Sequence, residues 1–587
     1  MFGFFTVILT KNWQVAPHAP PAHLKKYKGM SPLLAQVLYN RGLTDPNEAY
    51  AFITAERTTS FDPFKMTGMP KAVNRVKQAI RKQERIVVYG DFDADGATST
   101  ALLMTVLKGL GAQVAPYIPD RVDEGYGLNV AALKKIRSWD VGLVITVDCG
   151  IRSVAEVEAG KKAGLDIIVT DHHSLGPQLP PAFAVINPKQ DDTPIETMLA
   201  GVGVAYKFAE ALVKSACGNE GKRSPLRQAA EQIDLESLLD LVAIGTVADL
   251  VPLDRIENRL LVRRGLKVLN QAKRPGIRAL LEVAGIAPGT IDSTRIGFGI
   301  GPRINAAGRL ESAMLSYELL FTQDEARAKQ LAVKLQELNE KRQELTREAQ
   351  ETVREQLEAQ ATTDMPLIFA QHRDFPHGIV GLVAGRLTEE YFRPAIVMRE
   401  GDDESNASCR SIPQFDITQA LDTCADLLVR HGGHAQAAGF TVLNENIHVL
   451  RERLTEIAAE SLHGQDLRPT LEIDLEADIH QLSEPLLEEL ALLQPTGNDN
   501  PPPLFMTSSA HVADWRLIGR DEKHIKLKLT RAGQPPIDAI GFNLGQWAGK
   551  LPEHVDVAYE LEINEWNGRR TLQLNLKDIR PAGANGK

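Results

Sequence analysis

The sequence predicts a multidomain α/β protein that ends in a small β-barrel of OB type. Three observations carry this expectation. From about residue 80, short apolar runs alternate with helical ones, the pattern of a parallel sheet covered on both faces. Residues 324–360 are charged and free of Gly and Pro, and Leu331, Leu335, Leu338, Leu345, Ala349, Val353 and Leu357 fall on one helical stripe. After residue 468 polar and apolar residues alternate, as in "HIKLKLT", and "LEINEWNGRRTLQLNL" places two strands around Asn567-Gly568, a hairpin signal. A chain of 587 residues exceeds what one core can organise, so three or more domains are expected.

The elements follow in order. Residues 1–75 read as a mostly helical leader. In a core spanning 76–323, "RIVVYGD" precedes a helical run and "QVAPYIP". "VGLVITVDCG" precedes another helical run and "LDIIVTDHH", and "AFAVINP" leads into helix-rich sequence. Residues 324–363 form a helix joining two lobes, a reading preferred to a coiled-coil partner site. The 364–467 lobe resumes the alternation with "MPLIFAQ", a helix from about Gly378, "RPAIVM" and the Gly-rich "HGGHAQAAGF". Residues 468–587 hold the barrel.

Composition is that of a soluble globular protein, with 43% hydrophobic and 24% charged residues and no apolar run long enough to span a bilayer. The opening "MFGFFTVILTKNW" lacks a basic leading segment and a small-residue cleavage site, which argues against a signal peptide. It reads as a strand, or as sequence upstream of the true start. Cys149, Cys217, Cys409 and Cys424 form no CxxC pair, which argues against a disulfide framework or zinc knuckle and suits a reducing cytoplasm. The net charge of −10 offers nucleic acid no global attraction, so any such binding needs a local basic patch.

"VVYGDFDADG" crowds Asp91, Asp93 and Asp95 at the end of an apolar strand, where like charges resist burial. An EF-hand is excluded, because its twelfth position is Leu102 and the loop follows a strand. Polar punctuation of a strand end explains one aspartate, not three. Asp148 ends the next strand, and Asp171, His172 and His173 end another. In an open parallel sheet these positions converge on the ligand-binding edge. Asp249 lies in the apolar "LVAIGTVADLVPL", where it is expensive to bury alone; helix capping is its structural alternative. Mostly oxygen ligands with one or two imidazoles suit Mn²⁺ or Mg²⁺ better than zinc. The number of ligands points to two ions ~4 Å apart, able to stabilise the attacking and leaving oxygens of a phosphoryl centre.

"VVYGDFDADG", "VDCG", "TDHH" and "GTVADLVPL", in that order, resemble the four motifs of the DHH phosphoesterase superfamily. "FGIGPRINAAGRL", "HGIVGLVAGRL", "SCRS" and "GGHAQAAGF" narrow the resemblance to the RecJ single-strand-specific DNA exonucleases, from about residue 20 onward. It implies a DHH core, a DHHA1-type second lobe and 5′-to-3′ hydrolysis of single-stranded DNA to mononucleotides in repair and recombination. It also implies a cytoplasmic monomer without membrane attachment, with a single-strand-binding protein and a helicase as further partners. Carried over by motif, Asp93 and Asp95 hold one metal each, Asp148 bridges, and His172 and Asp249 complete the shell. Asp91 and His173 are second-rank ligands or supporting groups. Many smaller relatives carry histidine where this chain has Tyr89, so Asp91 is the residue that could compensate. Cys149 and Cys409 stand where the family often has Asn and Gly.

The same resemblance places "GPRINAAGRL" at the site, where Arg303, Asn305 and Arg309 would contact phosphates; an ion pair to the acidic sheet edge is the structural alternative. Arg410 and Ser411, and Gly432, Gly433 and His434 of an expected Gly-rich turn, would form a strand-binding wall. In the barrel, His524, Lys526 and Lys528 share a strand face, and Trp566, Arg569 and Arg570 flank the hairpin turn, either as a single-strand surface or as solvated positions. Two other functions compete. A phosphodiesterase of short oligonucleotides or signalling dinucleotides would not need the barrel and long helix. A catalytically inactive single-strand-binding DHH protein would have lost metal ligands, and here the main set is intact.

Overall fold

The computed structural model describes residues 10–55, 60–120, 125, 127–190, 195–359, 365–531, 535–566 and 569–583, with only the backbone of Asn219, Trp566 and Arg569. It divides into two compact units. One comprises 58–467 with 497–499; the other comprises 1–57, 468–496 and 500–587.

The larger unit holds two sheets. In the first, β1 (Arg85–Gly90), β2 (Gln113–Tyr117), β3 (Val141–Val147), β4 (Asp166–Thr170) and β5 (Ala184–Ile186) are all parallel, in the order β2-β1-β3-β4-β5. The central strands are Val/Ile-rich and buried on both sides, which is why they read as continuous apolar runs rather than alternating ones. Helices α1 (Ala94–Gly109), α2 (Gly201–Asn219) and α3 (Leu239–Ala248) pack together in one large core, which α4 (Gly301–Leu310) also enters through Ile304, Ala306 and Ala307.

The long helix α5 (Glu325–Ala359) buries Leu331, Leu335, Leu338, Ala349, Val353 and Leu357, so the expected stripe is its core face. Its first half belongs to the core of the first sheet and its second half to that of the second lobe. That lobe contains β6 (Ile368–His372), α6 (Val380–Tyr391), β7 (Ala395–Arg399), β8 (Glu404–Arg410), β9 (Leu428–His434) and β10 (Ala437–Leu443). Its sheet order is β9-β10-β8-β7-β6, parallel only between β6 and β7. The Gly-rich turn expected at 432–434 is therefore strand: Gly432, Gly433 and His434 end the edge strand β9, and the reversal falls on Ala435-Gln436. Gly433 has φ of +150°, and a Cβ there would lie 2.4 Å from the Ala437 carbonyl oxygen, so the close pairing with β10 requires glycine.

The smaller unit is built on a closed five-stranded barrel. β11 (Phe505–Ile518), β12 (His524–Thr530), β13 (Ile537–Gly541), β14 (His554–Trp566) and β15 (Arg569–Pro581) run in the order β11-β12-β13-β15-β14, and β14 returns to β11. β14 and β15 pair antiparallel up to Trp566 and Arg569; the Asn567-Gly568 turn itself lies outside the described residues.

The expected 1–75 leader is split between the units. Asn12–Val15 pairs in parallel with Thr470–Ile473, and Trp13 Nε1 donates to Asp578 Oδ2 at 2.8 Å. Arg41 binds Asp474 with two guanidinium nitrogens. Helix Met69–Arg81 instead buries Val73, Val76 and Ile80 in the larger unit. The reason is local: an isolated strand with unpaired amides needs a sheet partner, whereas an amphipathic helix needs an apolar face.

Candidate metal and phosphodiester site

The aspartate loop between β1 and α1 is held from several directions. Asp93 caps α1, its Oδ1 accepting the N–H groups of Asp95 at 2.9 Å and Gly96 at 3.0 Å. Asp95 is buried, and its carboxylate accepts the Gly201 and Val202 amides at 2.6 and 2.8 Å, at the N-terminus of α2. A Cβ at Gly201 would lie 2.7 Å from the Asp148 side chain, so only glycine lets that helix end approach.

Asp148 follows β3 with a left-handed φ of 62°, an uncommon conformation for a residue with a side chain. Asp171 follows β4 and organises the histidine pair. It accepts the His172 and His173 amides at 2.7 and 3.0 Å, the Ile151 amide at 2.9 Å and His173 Nδ1 at 2.7 Å. His172 Nε2 then lies 3.1 Å from Asp148 Oδ1, 3.5 Å from Asp249 Oδ2 and 3.9 Å from Asp95 Oδ2. Asp249 stands at the C-terminal end of α3.

Three overlapping donor sets result: Asp91, Asp93 and Asp148; Asp95, His172 and Asp249; and Asp148, His172 and His173. All seven metal or catalytic candidates of the sequence are thus brought together. Within each set the donor atoms lie within 4.8 Å of one another. Divalent cations fit these residues, because Asp148 Oδ1 and His172 Nε2 are buried without a hydrogen-bond partner among the described residues.

The electrostatics agree. Burial, and then the charge of Asp93, push the Asp95 carboxyl up to about 7 despite the Val202 and Gly201 amides. Burial and the other aspartates hold Asp148 and Asp249 far above the usual carboxylate range. Burial, and then the His173 charge, bring His172 down to about 3, leaving a neutral imidazole suited to ligation. Burial opposes charge on His173 and Asp171, but their mutual hydrogen bond outweighs it, raising the histidine and lowering the aspartate.

Tyr89, in the place of a possible ligand, is fully buried and donates its hydroxyl to the Gly127 carbonyl at 2.9 Å. Asp91 sits instead with Asp93 and Asp148. The sequence reading put Asp171 at the sheet edge without a role, although its place before two histidines suits a carboxylate that orients an imidazole, as it does for His173. It also missed the Gly201 and Val202 amides and Lys189, whose charge acts on Asp171, Asp249 and His172. A backbone amide has no side-chain signature in sequence, which explains why Gly201 and Val202 were missed.

The expected phosphate contacts differ in their surroundings. Arg303 Nε donates to Gln336 Oε1 at 2.7 Å and its Nη1 to the Gly299 carbonyl at 2.6 Å. Arg309 Nη1 reaches the Gly378 carbonyl at 3.0 Å, and Arg410 Nη1 the Cys409 carbonyl at 2.8 Å. Asn305 Oδ1 accepts the Ala94 amide at 2.7 Å and so anchors the aspartate loop. Ser411 is buried and donates to the Phe415 carbonyl at 2.7 Å. In the barrel, Lys526 is paired with Asp538 at 3.1 Å, Lys528 is exposed on the same face, and the Trp566 side chain lies outside the described residues.

Strand ends that gather aspartates and a histidine pair, backed by a second α/β lobe, define a DHH-type phosphoesterase. The DHH family N-terminal domain matches residues 85–246, the DHHA1 domain 364–460 and the RecJ OB domain 473–578. The chain belongs to the RecJ family of single-stranded-DNA-specific exonucleases. It is 39% identical to single-stranded-DNA-specific exonuclease RecJ of Bacillus subtilis (strain 168), over 94% of this chain and 68% of that protein. It is 38% identical to the RecJ of Dickeya dadantii (strain 3937), over 88% and 90%. The crystal structure of RecJ in complex with Mn²⁺ from Thermus thermophilus matches with a TM-score of 0.81 and 30% identity, covering 97% of this chain and 80% of that one. A second Thermus structure holds Mg²⁺. Among the described residues, no helix is long and apolar enough to cross a membrane.

Proposed function

We propose that this protein is a metal-dependent exonuclease that degrades single-stranded DNA from its 5′ end to mononucleotides, in DNA repair and recombination. The three overlapping donor sets at the sheet edge carry this reading, in a chain whose RecJ relatives are named for that activity. One cation would be held by Asp91, Asp93 and Asp148 and a second by Asp95, His172 and Asp249, with Asp148 placed to serve both. Bound there, Mn²⁺ or Mg²⁺ supplies Lewis acidity at the phosphodiester and lowers the pKa of an attacking water.

The chain's own groups supply the frame. Asp171 holds the His172 backbone amide, and the His172 Nε2 faces the carboxylates, 3.1 Å from Asp148 Oδ1. His173 keeps a proton on Nδ1 against Asp171, and its half-exposed ring offers positive charge to a phosphate oxygen. Arg303, Arg309 and Arg410 would line a channel between the core and the second lobe, wide enough for one strand. A single-strand-binding protein and a helicase are the partners such an enzyme requires to obtain its substrate, and it would act as a cytoplasmic monomer. The test is release of mononucleotides from a 5′-labelled single strand on addition of Mn²⁺, with blunt duplex spared. Efficient digestion of duplex would remove the narrow channel, and no Mn²⁺-dependent release would remove the function.

A further inference from the structure

Three arginines from three helices converge in the larger unit, none of them in a direct ion pair with a carboxylate among the described residues. Arg303 is on α4, Arg342 on α5 and Arg386 on α6. Other guanidiniums of this unit meet acids, as Arg274 meets Asp240 and Arg354 meets Glu390. Here the neighbours are neutral. Arg303 donates to the Gln336 amide oxygen and the Gly299 carbonyl, and Arg342 Nη2 to Asn339 Oδ1 at 2.9 Å. Arg342 Nε is buried with no acceptor among the described residues. Arg386 is exposed. The acid that reaches this group is Glu340, which acts on Arg303 and accepts from Gln336 Nε2 at 2.6 Å. Burial, then the charges of Arg386 and Arg303, oppose the charge on Arg342.

Positive charge held half-buried on Arg303 and Arg342, with Arg386 exposed beside it, stores unfavourable energy that a bound anion relieves. Planar forks match the oxygens of a phosphodiester in pairs. Position favours the substrate's own backbone. α4 also carries Asn305, which anchors the aspartate loop, and Gly308, where a Cβ would lie 2.1 Å from the Phe92 carbonyl. Arg303 is five residues from Gly308 along that helix, about 7.5 Å by helical rise.

We propose that Arg342 and Arg386 join Arg303 in a subsite for an internal phosphate of the bound single strand, away from the bond being cleaved. This rests on the exonuclease reading above and adds two residues and a ligand group to it. The subsite would grip the strand without reading sequence, because phosphates carry none.

The experiment measures binding of a labelled long oligothymidylate to the full-length protein in EDTA, across a salt series. Arg342→Gln and Arg386→Gln should each weaken binding roughly tenfold, the scale of a lost charge-assisted contact. Each should also reduce the log–log salt slope by about one unit. A second series replaces one phosphate at a time by neutral methylphosphonate. One internal position should weaken wild-type binding and leave the double variant's binding unaltered by the replacement. That comparison is internal to each protein, so a general loss of fold cannot imitate it, and melting curves check the variants. Unchanged affinity and slope, or a methylphosphonate penalty equal in both proteins, would overturn the subsite. If wild type neither binds nor degrades the strand, the exonuclease reading fails instead.

Discussion

At the scale of single residues, the site is a store of buried negative charge that cations relieve. Asp148 is the carboxylate common to two donor sets, and His172 also belongs to two. Asp148→Ala should lower Mn²⁺-dependent cleavage by roughly a thousandfold, the scale of several kcal/mol of lost transition-state stabilisation. Its melting temperature without metal should not fall, since a buried and repelled carboxyl is removed. Turnover near wild type at saturating Mn²⁺ would defeat the shared-ligand assignment. A pH effect follows from the same groups. Asp95 binds its proton near pH 7 when folded and near 3.8 when unfolded, so across that window the folded state holds more protons. The raised Asp148 and Asp249 add to this excess and the lowered His172 opposes it, so with three carboxyls against one imidazole metal-free stability should fall as pH rises from about 4 to 7. Added Mn²⁺ should raise the melting temperature most at the alkaline end, because cations and protons compete for the same oxygens. Calorimetry at several pH values, with EDTA or Mn²⁺, checks both slopes.

At the scale of elements, strand ends were legible because each carried a side chain whose burial demanded a reason. Asp91, Asp93, Asp95, Asp148 and the histidine pair announce themselves by charge in apolar surroundings. What holds them was not legible, because it is done by backbone amides and by neutral side chains distant in sequence. Asn305 reads as a substrate contact, since it is an amide among arginines, and its anchoring of α1 through Oδ1 has no trace in the sequence. The Gly432-Gly433 pair looked like a turn, yet β-pairing with Ala438 and Gly439 makes it strand. Asn305→Ala should leave the Ala94 amide without its acceptor, at a cost of about 1–3 kcal/mol. It should also raise the Mn²⁺ concentration needed for half-maximal activity, because Asp93 and Asp95 flank that amide. A lower melting temperature with unaltered Mn²⁺ demand would mean that the anchor does not reach the metal ligands.

At the scale of the whole molecule, two α/β lobes were readable from alternating patterns, whereas the fate of the first residues was not. No local pattern says that a strand at 12–15 will find its partner at 470–473, since pairing partners so far apart leave no periodic trace. Removing 468–587 alone would strip Asn12–Val15 of its partner and Trp13 of Asp578. The informative truncation therefore keeps residues 58–467 alone. Base stacking is worth about 1–3 kcal/mol per base, so this fragment should bind long single strands far more weakly while still cleaving very short ones. Equal affinity of fragment and full-length protein for a long oligonucleotide would take the barrel out of the substrate's path.

The Asn12–Val15 pairing also sets a timetable. During synthesis these residues leave the ribosome early, and Thr470–Ile473 cannot meet them until the intervening chain has been made, on the order of a minute later at ordinary elongation rates. Throughout that interval an unpaired strand and Trp13 wait in the open while the catalytic unit is translated and can fold. The catalytic unit is thus fully synthesised before Asn12–Val15 has its partner, and a polypeptide stalled before residue 470 would carry an unpaired strand edge open to chaperones and proteases.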